Sequence, residues 1–491
     1  MRHILFVLIL AAAGTAWAQL TLPPQPAPTN IDPPGELDKI KENCGTFSKI
    51  GGCFEQLFTG QPLHIAVGSI APQNGYGAGL AYVGLKNTEN WRITWNADAV
   101  GSNNASWRAG FYMKLVDTRG PDIGFHMGTQ GTKVKPNHTG LPEHPVINLY
   151  AQTISLNKLT YFGLGPNTNE AGRSFYGMRQ TIVGASGVKP VNQRLNVALY
   201  GEANGRFVSI RPSDGQPSPS IEQVYTEAAA PGLTHQPSFI QFGEGIRMHP
   251  VLANDVVRLN YDLAYRQYVA PGDSTFSFQR LTVDLSNQFA LHSATTRWLL
   301  PRDANGPDEC SLVTDPKHPE CTLDKKAQYD ACMADKSKKP SDCKAITRDL
   351  QGSFGLRFFL ALSMTPGGDV VPFYFQPTIG GSDVNGNASL TSYQDYRFRA
   401  PNVLLFRQSF EHSIWGPLGF TFMVDEGKVA LTRGGLGSSN WVHSFSSGLT
   451  LRLGGIPQVS FLFSWGGNEG THTIVNQGSS LLGGSARPSL N

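Results

Sequence analysis

Residues 372–428 read PFYFQPTIGGSDVNGNASLTSYQDYRFRAPNVLLFRQSFEHSIWGPLGFTFMVDEGK. A glycine pair, Gly380-Gly381, opens a polar loop that runs on to Leu390-Thr391-Ser392-Tyr393 and Arg397-Phe398-Arg399. Two stretches of period-two pattern follow, and the second carries Val424-Asp425-Glu426-Gly427. Period two marks strands, because successive side chains leave opposite faces of the pleat. Asp425 shares a face with Thr421 and Met423, while Phe420, Phe422 and Val424 occupy the other. Asp425 should therefore point inward. The two glycines suit a tight reversal where side chains would clash. From Ser382 to Leu390 the only charge is Asp383, which suits a water-filled lumen better than a lipid boundary. The expectation is that residues 372–399 fold back inside a barrel, with Tyr393 and Arg397 near the wall carrying Asp425 and Glu411.

Outward from this stretch the alternation continues. Trp91 to Ala99 puts apolar residues on one face and polar ones on the other, and Trp107, Ala109, Phe111, Met113 and Leu115 oppose Ser106, Arg108 and Lys114. Leu195, Val197 and Leu199 alternate with Arg194 and Asn196, and Glu202, Asn204 and Arg206 follow; Val257 to Tyr265 alternate with Arg258, Asn260, Asp262 and Arg266. Leu281, Val283 and Leu285 oppose Thr282, Asp284 and Ser286, and Phe354 to Leu362 oppose Arg357. A soluble β-sandwich alternates too. Here, however, the polar face carries charge in mid-strand, and the strands approach the ~10 residues that cross a bilayer at a tilt. The pattern predicts sixteen strands, near 62–70, 76–86, 91–100, 104–116, 146–164, 174–187, 193–210, 238–248, 256–269, 275–292, 354–365, 402–414, 417–430, 441–454, 457–466 and 470–482. An even number returns both ends to one side, as single-chain barrels require. Trp91, Trp95, Trp107, Phe111, Phe461, Phe463 and Trp465 should face lipid.

Composition agrees. Charged residues are 16%, Gly numbers 54 and the net charge is +3, which argues against a nucleic-acid partner. Arg2 and His3, the apolar run Ile4–Ala13 and Thr15-Ala16-Trp17-Ala18 read as a signal peptide, 1–18, cleaved before Gln19. The run is too short for a membrane-spanning helix. Residues 19–61 read as a Pro-rich linker with a short helix, 62–483 as an all-β transmembrane antiparallel barrel, and 484–491 as a tail. Within the barrel, 301–350 is a small Cys-rich insertion with a helix-friendly run, expected on the side of the N-terminus. Cys44 and Cys53 are close enough to pair, and Cys310, Cys321, Cys332 and Cys343 allow three pairings that sequence does not choose among. Their wide spacing fits disulfides better than zinc, whose ligands come in close pairs.

The 372–428 stretch resembles the end of the bacterial surface antigen superfamily, the BamA/TamA-like outer-membrane barrels. In that family an outer loop reading roughly GG…(L/V)RGY…RF folds into the barrel, and its Arg meets an Asp of a later F-x-D-x-G strand. Gly380, Gly381, Tyr393, Arg397, Phe398, Glu411, Asp425 and Gly427 fall where that pattern wants them, whereas Thr391-Ser392 stand where it has Arg-Gly. The resemblance is good from about Gly380 to Val429 and agrees in layout from about Pro62 onward. It implies that Asp425 anchors the loop, with Arg397, Arg399 or Arg407 in place of the missing Arg. It also implies a bacterial outer-membrane location, with membrane lipids and other outer-membrane or periplasmic proteins as partners. The segment before Pro62 is too short for the periplasmic POTRA modules of relatives that assemble or secrete proteins.

The sequence shows no H-E-x-x-H, G-x-S-x-G or P-loop, so no catalytic, cofactor or metal-binding set is expected. Three functions fit: an assembly or translocation barrel, a passive porin-like channel for small solutes, and a membrane-embedded hydrolase. The last would need a Ser-His pair at the lipid boundary.

Overall fold

The computed structural model describes residues 63–119, 144–298, 344–477 and 487–491, except 193–194, 214–215, 254–255, 416, 438–439, 454–455, 468 and 470. For 293–298, 344–349, 452–453, 456–458 and 474–477 only the backbone is described. Sixteen strands form the wall: β1 (Leu63–Ser69), β2 (Tyr76–Asn87), β3 (Trp91–Ser102), β4 (Trp107–Asp117), β5 (Val146–Tyr161), β6 (Ser174–Asn192), β7 (Val197–Pro212), β8 (Phe239–Met248), β9 (Val257–Val269), β10 (Phe278–Trp298), β11 (Lys344–Met364), β12 (Asn402–Trp415), β13 (Leu418–Ala430), β14 (Val442–Leu453), β15 (Ile456–Trp465) and β16 (His472–Gln477). With the two-residue strand Val251–Leu252 they make one 17-stranded sheet, in which each of the sixteen pairs antiparallel with its neighbour in sequence. All sixteen expected strands have a counterpart. The described helices are short; the α-helix Ile221–Val224 has four residues.

The distribution of side chains is inside-out. Along β3 and β4 the buried residues include Asn96, Asp98 and Arg108, while Trp107 and Phe111 are exposed. Gln152, Gln180, Asn204, Arg206, Gln241 and Arg280 are likewise buried, and Val183, Phe207, Phe242, Leu263, Phe461 and Phe463 are exposed. Soluble monomers seldom expose so continuous an apolar surface. No described helix is long and apolar enough to cross a membrane, which says nothing about strands.

Three expectations need correction. The sheet was expected to close, but among the described residues no ladder joins β1 to β16. These are the two shortest wall strands, of 7 and 6 residues, so they offer few groups for a shared ladder. The insertion was set at 301–350, yet Lys344–Leu350 already belong to β11 and pair with β10. A register shift between Leu291 and His292 explains the miss: it skips Gln351 and breaks the alternation there. The strand expected from 193 begins at Val197, because Asn196 holds a left-handed φ of 47°. Ser106, on the face opposite Trp107 as expected, is buried: its hydroxyl donates to Asn74 Oδ1 at 2.8 Å and accepts from Asn157 N–H at 2.9 Å. The signal peptide, the linker and all six cysteines lie outside the described residues.

Candidate functional site: a loop folded into the wall

The chain between β11 and β12 does not splay outward. Most of Val371–Gly381 and Ser389–Ala400 is buried. Its contacts come from around the sheet. Phe373 packs edge-on against Tyr161 of β5 and Tyr176 of β6, at 5.3 and 5.1 Å between ring centroids. Phe375 meets Phe239 of β8 at 5.0 Å and Tyr268 of β9 at 5.3 Å. Tyr396 donates to the carbonyl of Pro72, between β1 and β2. A segment that touches the first hairpin, β5–β10 and β13–β15 together requires the sheet to curl around it. The loop lies at the end of the sheet remote from Leu63, since β11 is the eleventh of an alternating series.

Asp425 organises one side of this plug. Arg407, its partner across the β12–β13 ladder, donates from Nε to Oδ1 at 2.6 Å and from Nη2 to Oδ2 at 2.8 Å. The same Nη2 reaches Ala388 O at 2.7 Å, and Leu390 N–H donates to Asp425 Oδ2 at 2.7 Å. The carboxylate thus binds wall and plug together. Leu390 has φ 48°, a conformation that costs a non-glycine residue free energy and persists only where surroundings impose it. Beside it, Thr391 lies within a buried group of three hydroxyls: its Oγ1 is 2.5 Å from Ser446 and accepts from Ser464 at 3.0 Å. Ser392 N–H donates to Ser444 Oγ at 2.9 Å. Gly427 leaves the necessary space, because a Cβ there would stand 2.9 Å from Ile379 Cδ1 and 3.1 Å from Leu390 Cδ1.

The other side is aromatic and cationic. Phe375 O accepts from Arg280 Nη2 at 2.7 Å, and the Arg206 guanidinium lies 5.9 Å from the centroids of both Tyr268 and Phe375. Cations within about 6 Å of a ring face are attracted to it, more strongly when desolvated. Arg399 donates to Phe373 O at 2.7 Å. Arg397 turns away from Asp425: it pairs with Glu469 between β15 and β16 and donates to Thr168 Oγ1 at 2.7 Å. Its guanidinium also lies over Phe162 and Phe398, and the latter ring packs against Tyr393 at 5.0 Å. Gly380 and Gly381 hold φ of 99° and 62°; a Cβ on Gly381 would strike Asp395 N at 2.4 Å. Burial pushes the Asp395 carboxyl above its ordinary range, against the hydrogen bond it accepts from Ser382 N–H at 2.8 Å.

Beyond the plug the interior is polar and less filled. A cavity of about 170 Å³ is lined by Arg247, Asp262, Ala264, Arg266, Thr282 and Asp284 among others. Arg266 pairs with Glu202 at 2.7 Å, and Arg357 with Asp284 at 2.7 Å. Among the described residues no group of three or more His, Cys, Asp or Glu could hold a metal ion.

No protein-family model and no curated protein matches the chain. Among solved structures it is similar to BamA from Haemophilus ducreyi lacking POTRA domains 1-3, with TM-score 0.44, 10% identity, 84% of this chain and 68% of that one. It is also similar to CdiB from Escherichia coli, with TM-score 0.44, 11% identity, 84% of this chain and 62% of that one. The chain therefore spans less than two thirds of the CdiB length. The antiparallel order and the in-folded loop stand on the geometry above, independently of that likeness.

Relative to the family pattern the pairing is redistributed. Of the three arginines expected near Asp425, only Arg407 meets it, and Arg407 comes from the wall. Glu411 shares the inward face of β12 with Arg407 but lies opposite Thr421, four residues further along, away from Leu390. Sequence reasoning missed the Phe373–Phe375 anchor, the Ser444, Ser446 and Ser464 hydroxyls, and Glu469. Three aromatics beside a Gly-Gly loop were the one legible signal; nothing local announced the rest.

Proposed function

We propose that the chain is a β-barrel of the bacterial outer membrane, a surface-antigen-type barrel with an assembly or translocation role and not a free-diffusion pore. The observation that carries this is the buried plug, bound on one side by Asp425, Arg407 and the Thr391 hydroxyl group and on the other by Phe375 and Arg280. The exposed apolar belt fits lipid as its partner, and an open sheet edge in hydrocarbon leaves backbone groups unpaired. Other outer-membrane or periplasmic proteins would be its clients or partners.

A gated channel is the second reading, and the polar cavity beyond the plug favours it. Single-channel recording in planar bilayers separates the two. The first reading expects small or rare openings from the intact protein; large steady conductance would replace it with the channel.

A further inference from the structure

The wall encloses more than the plug. Residues 487–491, Arg-Pro-Ser-Leu-Asn, are seated on the same concave side. Arg487 Nη2 donates to Asp98 Oδ2 at 3.0 Å, and that carboxylate, 0% exposed, also pairs with Arg108 of β4 at 3.1 Å. The Arg487 guanidinium lies 5.9 Å from the Tyr112 ring. Leu490 is 6% exposed and joins the buried apolar cluster. Its N–H donates to Asn385 Oδ1 at 2.8 Å, and Asn385 Nδ2 donates to Asn491 Oδ1 at 2.6 Å. Asn385 belongs to the plug, where its own N–H is fixed by Asp383 Oδ1 at 2.9 Å. Asn491 lines a small cavity together with Tyr374, Tyr396 and Arg399.

We infer that the lumen holds a peptide-binding site, built from Asp98, Tyr112 and Asn385, whose resident ligand is this chain's own segment 487–491. Three features read four different parts of that segment. A buried carboxylate takes the cation, and an apolar pocket takes the leucine three positions later. The Asn385 side chain, donor and acceptor at once, takes the backbone of Leu490 and the side chain of Asn491. Residues 478–486 read GSSLLGGSA, and the ten peptide steps from Gln477 to Arg487 reach at most about 36 Å extended. The segment is tethered, and an extended peptide of the same chemistry could displace it. Because Asn385 sits on the plug, occupancy of this site also steadies the plug. The inference rests on the reading of the chain as a plugged barrel, and its test is binding, which conductance of the intact protein does not measure.

The experiment deletes residues 487–491 from the full chain, confirms folding by heat-dependent gel mobility, and titrates a fluorescent peptide of sequence RPSLN. The truncated barrel should bind it and the intact barrel should not. A peptide with Ala for the arginine should bind about tenfold more weakly, as loss of a charge-assisted hydrogen bond implies. Equal binding to intact and truncated protein, or equal binding of a scrambled peptide, overturns the proposal. Should the truncation not fold, Leu490→Cys in a cysteine-free full-length chain reports the same contact. Its thiol should react slowly with a water-soluble maleimide, and Arg487→Glu should speed it roughly tenfold; an unchanged rate overturns the proposal as well.

Discussion

Arg407 and Asp425 stand directly opposite one another on β12 and β13, and their side chains form a two-bonded pair on the inward face. In the related motif the cation comes from the loop; here it comes from the neighbouring strand. The carboxylate is therefore neutralised whether or not the loop is docked. What the loop adds is the Leu390 N–H and the Ala388 carbonyl, two backbone contacts to a charge pair that is already formed. Hydrogen bonds to charged groups contribute about 1.5–3 kcal/mol each. At Asp425 the plug is thus held by moderate backbone contacts, and its own ion pair with the wall is the one that Arg397 makes with Glu469.

Asp425→Ala should loosen both wall and plug, because it strands the Arg407 cation. Breaking a buried pair in this way costs about 3–5 kcal/mol, and Arg407, 17% exposed, should fall at the lower end. The checks are the heat-modification midpoint and bilayer conductance. Arg407→Gln with Asp425→Asn should restore most of the stability while leaving the plug looser than in the parent. No change from Asp425→Ala in either measurement would remove Asp425 from the lock.

Two glycines should respond unequally. Gly381→Ala combines a φ of 62° with a Cβ 2.4 Å from Asp395 N, and backbone does not yield easily. Gly427→Ala meets only the methyl ends of Ile379, Leu390 and Leu405 at 2.9–3.2 Å. The first should cost about 1–3 kcal/mol of plug docking and the second less. Protease access to residues 382–390 in the folded barrel measures docking, and the opposite order would show that the reversal at Gly381 is not needed.

Leu263 and Ala264 are neighbours on opposite faces of β9. Leu263 is 44% exposed on the outside, whereas Ala264 shares the inward face with Asp262 and Arg266 and stands opposite Thr282 of β10. Leu263→Arg should impair membrane insertion by about 2–4 kcal/mol near the midplane. Ala264→Arg finds carboxylates and water, so its folded yield in vesicles should stay close to that of the parent. Similar defects from the two would invert or erase the assigned faces.

Asp395 makes docking pH-dependent. Its carboxyl lies above the ordinary 3.8 because of burial, with Ser382 and His472 acting in the opposite sense. Asp383, also raised by burial, has the same sign. A docked state that binds the proton more tightly is favoured at low pH. Its advantage is complete below 3.8 and disappears as pH rises through the docked value. Openings in bilayers should therefore be rarer at acid than at neutral pH, and Asp395→Asn should shrink the difference. Openings that become more frequent on acidification would refute this sign.

The sequence alone determined what period two can express: the strands, the inward and outward faces, and the inward carboxylate at Asp425. An apolar outer face and a polar inner face impose that alternation along the wall, so it is written locally in each strand. It also determined that the loop after Gly380-Gly381 turns inward, since glycine tolerance and an almost uncharged stretch are local properties as well. Tertiary structure decided the partners. Arg407, Arg397 and Arg399 are equally plausible neighbours of Asp425 on paper, and only strand register puts Arg407 across from it while Arg397 goes to Glu469, 72 residues away. Register likewise hid the start of β11, because the shift at Leu291/His292 changes the phase of the pattern without leaving a mark in composition. The seating of Arg487 on Asp98 joins residues 389 positions apart, and no local rule connects them. The curled sheet does, by making one small interior the common neighbour of strands, plug and tail.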